Sequence, residues 1–240
     1  MKKLLSIILF LALASQVKSQ DLAKGLHEAI LSTNLENVKK VVEEFKADVN
    51  EAYDNKALGS PTPLNVSCFI ANVEITEYLL SKGADPMKEN KFGTTALGSL
   101  AENAAVDEKS EANRILIYDM LIQKNIDVNK NDKAGVCALG RAAYWGHAGL
   151  VKKMLEHKEL EIDNRKNAFA KTALMLAAER GNLEIVKMLH EAGADPNEEV
   201  KIATRAGTFD IFKASDLAKN KNHADVYEYL KSAKKIKKKK

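Results

Sequence analysis

Two cysteines, four prolines and 6% aromatic residues in a chain of 240 set the first limits. Two thiols are too few for a disulfide framework. So little proline and so few rings argue against a sheet sandwich and against a proline-rich disordered chain, and 29% charged residues suit a soluble helical protein. The apolar run Leu4–Ala14 falls short of the roughly 20 residues that span a bilayer. No histidine has a cysteine or a second histidine at zinc-ligand spacing. No glycine-rich phosphate loop, nucleophile elbow or paired-carboxylate motif stands out, so the expectation is a chain without catalytic residues, cofactor or metal.

What is present divides the chain in three. Lys2 and Lys3 precede the apolar run, and small residues follow it, which is the pattern of a signal peptide over residues 1–19. Cleavage fits after Ala14 or after Ser19, and Ser19 is favoured because the folded pattern begins at Asp21. Residues 231–240 form a Lys-rich tail with seven lysines and no acid. The formal net charge of +4 therefore hides a body near −6 between two basic ends.

The body, residues 20–230, is organised by a ruler. Thr172–Asn197 reads as a short apolar helix capped by Thr172, a turn at Gly181-Asn182, an amphipathic helix carrying Ile185, Val186, Met188 and Leu189, and an Ala-Asp-Pro-Asn exit. Neither helix buries its apolar face alone, so the unit needs neighbours. Thr62, Thr95 and Cys137 stand two residues before a leucine, as Thr172 does. Ten residues beyond the anchor comes Asn72, His147 or Asn182, and the same offset from Asn34 and His223 places further anchors at Lys24 and Lys213. The units run roughly 21–50, 58–90, 91–132, 133–167, 168–200 and 209–231. The third fits only with an insertion within Glu102–Asn113, expected to lengthen the helix-to-helix connection without entering the core. Glu51–Pro61 and Glu198–Phe212 are expected as enlarged exit loops.

A period near 33, Thr62-Pro63-Leu64-Asn65 at a helix start, Gly-Asn or Gly-His at the turn and Gly-Ala-Asp at the exit resemble the ankyrin repeat. No unit keeps the family's histidine as the fourth residue of that start motif, so its inter-repeat hydrogen bonds are expected to be missing or replaced. The resemblance implies an all-α solenoid of about six helix-turn-helix units with projecting hairpin-like loops and polar outer faces at its ends. It also implies a binding surface on the loops and the inner side of the first helices. The relevant positions lie four, three and one residues before each anchor and seven and eight after it. These offsets select Phe69, Lys91, Phe92, Tyr144, Trp145, Phe169, Lys171, Glu179, Arg180 and Phe209.

Aromatic and arginine side chains gathered outside the core point to a protein interface. Cys68 and Cys137 are expected as buried free thiols two units apart. With export, an acidic body and a bacterial route, the expectation is a monomeric periplasmic protein, immunity-type, that inhibits or regulates an enzyme with a basic cleft. The alternatives are a secreted effector that binds host proteins and a structural or adhesive protein. In the last case Lys231–Lys240 would hold an anionic membrane or wall polymer, with nucleic acid the least suited target.

Overall fold

The computed structural model describes residues 19–103, 107–205 and 207–233. The signal-peptide pattern and most of the Lys-rich tail lie outside the described residues. Helix pairs follow one another along the chain: α1 (19–31) with α2 (Leu35–Glu43), α3 (Pro63–Phe69) with α4 (Val73–Ser81), and α5 (Ala96–Leu100) with α6 (Glu108–Ile122). They continue with α7 (Ala138–Trp145) and α8 (Ala148–Leu155), α9 (Ala173–Arg180) and α10 (Leu183–Glu191), and α11 (Ala214–Asn220) and α12 (Ala224–Ser232). First helices pack on first helices and second on second, which gives a two-row stack.

The anchors work as helix caps. The Thr62, Thr95 and Thr172 hydroxyls accept the N–H of Asn65, Gly98 and Met175, which supplies one of the donors a helix start leaves open. Nine residues on, the backbone turns left-handed in unit after unit: Thr33, Ala71, Gly146, Gly181 and Asn222 all have φ between 51° and 87°. Glycine suits that conformation best, yet the fold imposes it on other residues too. At the exits Asp48, Asp85, Asp127 and Asp195 each accept the backbone N–H two residues on. These aspartates are turn residues.

The core runs the length of the stack. Small residues such as Ala142, Ala143, Ala177 and Ala178 fill the first-helix row, while Leu, Ile and Met fill the second. At Gly140 an added Cβ would come within 3.0 Å of Leu176, so α7 and α9 approach closely there. The close approach of α7 and α9 fits the curved stack that the ankyrin resemblance implies, with its concave side on the first helices and loops.

The structure corrects two expectations. The insertion lengthens the second helix as well as the connection, and its described residues stay exposed or half-buried. Asp107 caps α6, the described part of the insertion extends that helix to 15 residues, and the completely buried Arg114 comes just after it. The Glu198–Phe212 loop is a β-hairpin, with β1 (Val200–Ala203) antiparallel to β2 (Phe209–Phe212) and Val200 opposite Phe212. Its place beside the stack is fixed by Lys201 N–H donating to Ala168 O at 2.9 Å.

Where the start motif carries Asn65, the missing histidine is replaced. Its amide donates to Thr94 O at 3.3 Å and Ser99 Oγ at 3.0 Å in the next unit, while its Oδ1 accepts the Thr62 N–H. The turn residues supply a second set of ties to the preceding unit. Asn182 donates to Ala143 O at 2.7 Å, and His223 Nε2 stands 3.2 Å from Glu179 O.

Candidate functional site

The ten residues selected by the repeat offsets fall into three groups along the concave side and the loop tips. The first surrounds a groove of about 420 Å³ between α1, α3 and α5. Phe69 ends α3, and Phe92 tops the loop before Thr95; both are about half exposed. The Phe92 ring lies against the backbone of Gly59, where a Cβ would meet it at 2.4 Å and where φ is +69°. Two backbone bonds hold that loop: Lys91 N–H to Gly59 O at 2.7 Å, and Lys133 N–H to Phe92 O at 3.0 Å. The Lys91 ammonium is 2.6 Å from Asp54, whose carboxyl the lysine and Ser60 hold below the usual range. Leu31 and Leu58 complete the rim, both half exposed.

The second group lies at the ends of α7 and α9. Tyr144 and Trp145 meet edge to face, their ring centroids 5.3 Å apart, and Arg180 lies over the Tyr144 ring at 4.8 Å. The rings are partly buried and the guanidinium is exposed. Arg180 makes no ion pair among the described residues. Beside the rings opens a cleft of about 270 Å³ that Arg141 and Asp132 also line. Arg141 bonds Asp132, and its other terminal nitrogen is 2.7 Å from Glu102. Glu102 lines both the cleft and the first groove, so the two adjoin at that side chain.

The third group lies against the hairpin. Phe169 and Phe209 pack at 5.3 Å between centroids, and Ile211 stands exposed two residues on. Lys171 and Glu179 were selected as surface contacts, but they satisfy each other at 2.6 Å and are mostly buried. His190 is buried with Nδ1 2.9 Å from Tyr229 Oη.

The offsets pass over the position four residues after each anchor. Val66, Ser99, Arg141 and Leu176 stand there and line the groove or the cleft. The signal is present in the sequence: a residue four beyond the cap sits one helical turn along the same face. Leu58 was within reach of the offsets, four before Thr62. Glu102, at the edge of the insertion, has no counterpart in the repeat.

One further cluster is internal. His147 Nδ1 is 2.6 Å from Glu111 Oε1, and Leu150 N–H donates to Glu111 Oε2 at 3.2 Å. Arg114 Nε is 3.4 Å from the same His147 nitrogen. One nitrogen cannot donate to the carboxylate and accept from the arginine together, and the shorter contact identifies His147 as the donor. Arg114 then acts on Glu111 as a charge, 3.6 Å away. Burial raises the Glu111 carboxyl, but the His147 bond and charge, the Leu150 N–H and Arg114 more than reverse it, leaving it below the usual range.

Among the described residues no three His, Cys, Asp or Glu side chains gather as a metal site, and no helix is long and apolar enough to cross a membrane. Cys68 and Cys137 are free and buried. Burial pushes the Cys68 thiol up to about 12 and raises Cys137 as well.

Comparison with known proteins agrees with this architecture. The family described as Ankyrin repeats (3 copies) matches residues 103–200, and the single Ankyrin repeat matches residues 62–91. Together they take in more than half of the chain. Similar curated proteins include the B-cell lymphoma 3 protein homolog of Mus musculus, 25% identical over 79% of this chain and 41% of its own length. Palmitoyltransferase AKR1 of Lachancea kluyveri is 28% identical over 71% of this chain and 22% of its own length. Human transient receptor potential cation channel subfamily A member 1 is 28% identical over 72% of this chain and 18% of its own. The chain thus spans less than half the length of each. It belongs to the ankyrin-repeat family, an all-α solenoid of repeats that mediate binding to other proteins.

Proposed function

We propose that this chain is a non-catalytic module whose concave side holds another protein, with Tyr144, Trp145 and Arg180 as the anchors. The observation that carries the reading is the stack itself. Trp, Tyr and Arg dominate measured interface energies, and here one of each meets at the ends of neighbouring first helices. Phe69 and Phe92 extend the surface in one direction and Phe169 and Phe209 in the other. Palmitoyl transfer does not carry over from the relative that bears that name, because the matched part is 22% of it and both thiols of this chain are buried.

The finer reading is export to a bacterial periplasm, supported by Lys2, Lys3 and the apolar Leu4–Ala14. An acidic body suits a basic cleft there, which favours an immunity-type inhibitor or regulator of an enzyme. The Lys231–Lys240 run favours a second reading, attachment to an anionic membrane or wall polymer. Purification of the mature protein with its bound partner tests both. Changing Tyr144→Ala and Trp145→Ala together should weaken partner binding about a hundredfold. Unchanged binding would refute the surface, and loss on deleting 231–240 in its place would move the function to the tail.

A further inference from the structure

We propose that the cleft beside Trp145 takes a lysine or arginine side chain of the partner, and that Glu102 is the group that selects it. The inference rests on the reading of the concave side as the binding surface and deepens it by giving the partner's chemistry.

The charge inventory decides the sign. Arg141 is the cation among the residues that line the cleft, and it faces two carboxylates, Asp132 and Glu102. One negative charge is left over. Asp132 is almost entirely buried and saturated, since its Oδ2 meets Arg141 and its Oδ1 accepts the Val136 N–H at 2.9 Å. Glu102 is different: its side chain is 39% exposed, and Arg141 takes its Oε1 at 2.7 Å. Its Oε2 has no hydrogen-bond partner among the described residues. A carboxylate oriented by a half-buried arginine with one oxygen open is a ready acceptor for a partner cation.

The walls suit the rest of such a side chain. Tyr144 and Trp145 offer ring surface for the methylene stem and for the cation, while Ala134, Val136 and Leu176 give an apolar lining. The volume of about 270 Å³ lies just below the roughly 300–1,000 Å³ of small-molecule sites, so one inserted side chain fits better than a free ligand. The groove of Leu31, Leu58, Phe69 and Phe92 adjoins the cleft at Glu102 and can take an apolar side chain of the same partner segment.

Neighbouring cations do not fill the cleft. Lys133 has its ammonium 2.7 Å from Lys91 O in the adjoining loop. Arg180 lies over Tyr144 but is not part of the lining. An acidic partner would be met by Arg180 outside the cleft, and that is the competing outcome.

Trp145 is the chain's only tryptophan, so its fluorescence reports on this cleft alone. The full chain would be titrated with two capped hexapeptides, one alternating leucine with arginine and one alternating leucine with glutamate. The basic peptide should shift Trp145 emission saturably and bind about tenfold tighter or more than the acidic one. Glu102→Gln, checked for folding by circular dichroism, should weaken the basic peptide about tenfold. Equal or tighter binding of the acidic peptide, no emission change with the basic one, or indifference to Glu102→Gln would overturn the proposal. If a natural partner is lost on Tyr144→Ala with Trp145→Ala yet ignores Glu102→Gln, the surface stands and the basic side chain falls.

Discussion

Glu111 Oε1 lies 2.6 Å from His147 Nδ1, so the lengthened start of α6 is bonded to the turn that joins α7 to α8. Elsewhere that turn residue meets a backbone carbonyl, as Asn182 does at Ala143 and His223 at Glu179. Here the insertion supplies a titratable group in its place.

A pH dependence follows. The Glu111 carboxyl sits below its usual value of 4.5 in the fold, because His147, Leu150 N–H and Arg114 outweigh its burial. Its contribution is therefore complete above about pH 4.5 and is lost as pH falls through the lowered folded value. Glu111→Gln should cost about 2 kcal/mol at pH 7. The gap to the parent protein should narrow as pH falls, which urea unfolding at pH 7 and pH 3 would measure. A gap that holds constant would show that the carboxylate charge does not matter.

Asn65 carries the tie between the second and third units. Asn65→Ala removes the donor to Thr94 O and Ser99 Oγ and the acceptor of the Thr62 N–H, all buried. The expected loss is about 2–3 kcal/mol, read from the shift in the urea midpoint. A change under about 0.5 kcal/mol would mean that water or a rotated Ser99 takes over both roles.

Gly181 and Ala71 share the same left-handed turn position, with φ of 76° and 51°. Ala71 shows that a Cβ is tolerated there, at about 1 kcal/mol. At Gly181 a Cβ would also stand 2.5 Å from the His223 ring, which bonds Glu179 O on that side. Gly181→Ala should therefore cost about 2–3 kcal/mol. Gly83→Ala, with φ +86° and open space around it, should cost only about 1 kcal/mol, with thermal unfolding of both variants as the measurement.

Both thiols are buried, and burial raises their pKa. A disulfide reagent should leave them untouched in the native protein and titrate two equivalents in denaturant. Fast reaction of either under native conditions would place that cysteine at the surface.

The repeat was readable because caps and turns are local. A threonine hydroxyl closes a helix start, and a left-handed residue nine later reverses the chain, whatever surrounds them. The helical state of the insertion was not readable, for the opposite reason. Its polar residues look like solvent-exposed loop, and only the fold brings His147 within reach of Glu111 and leaves Arg114 buried beside them. The side proposed for binding was readable only in part. Phe69, Phe92, Tyr144 and Trp145 follow from the offsets, but Lys171 and Glu179 neutralise each other, and the arrangement of Arg141 between Asp132 and Glu102 crosses two units. Pairing of that kind depends on distance in space, which the period does not encode.

Three side-chain ties among the described residues reach back to the preceding unit. Asn113 donates to Ala71 O, Asn182 to Ala143 O, and His223 Nε2 faces Glu179 O, each reaching back to the end of the first helix before it. A unit is thus finished by its successor, about forty residues later in the chain. Synthesis from the N-terminus always leaves the newest unit with open carbonyls until the next one emerges. Shortening the stack from the C-terminal side should therefore fray the end that loses its successor.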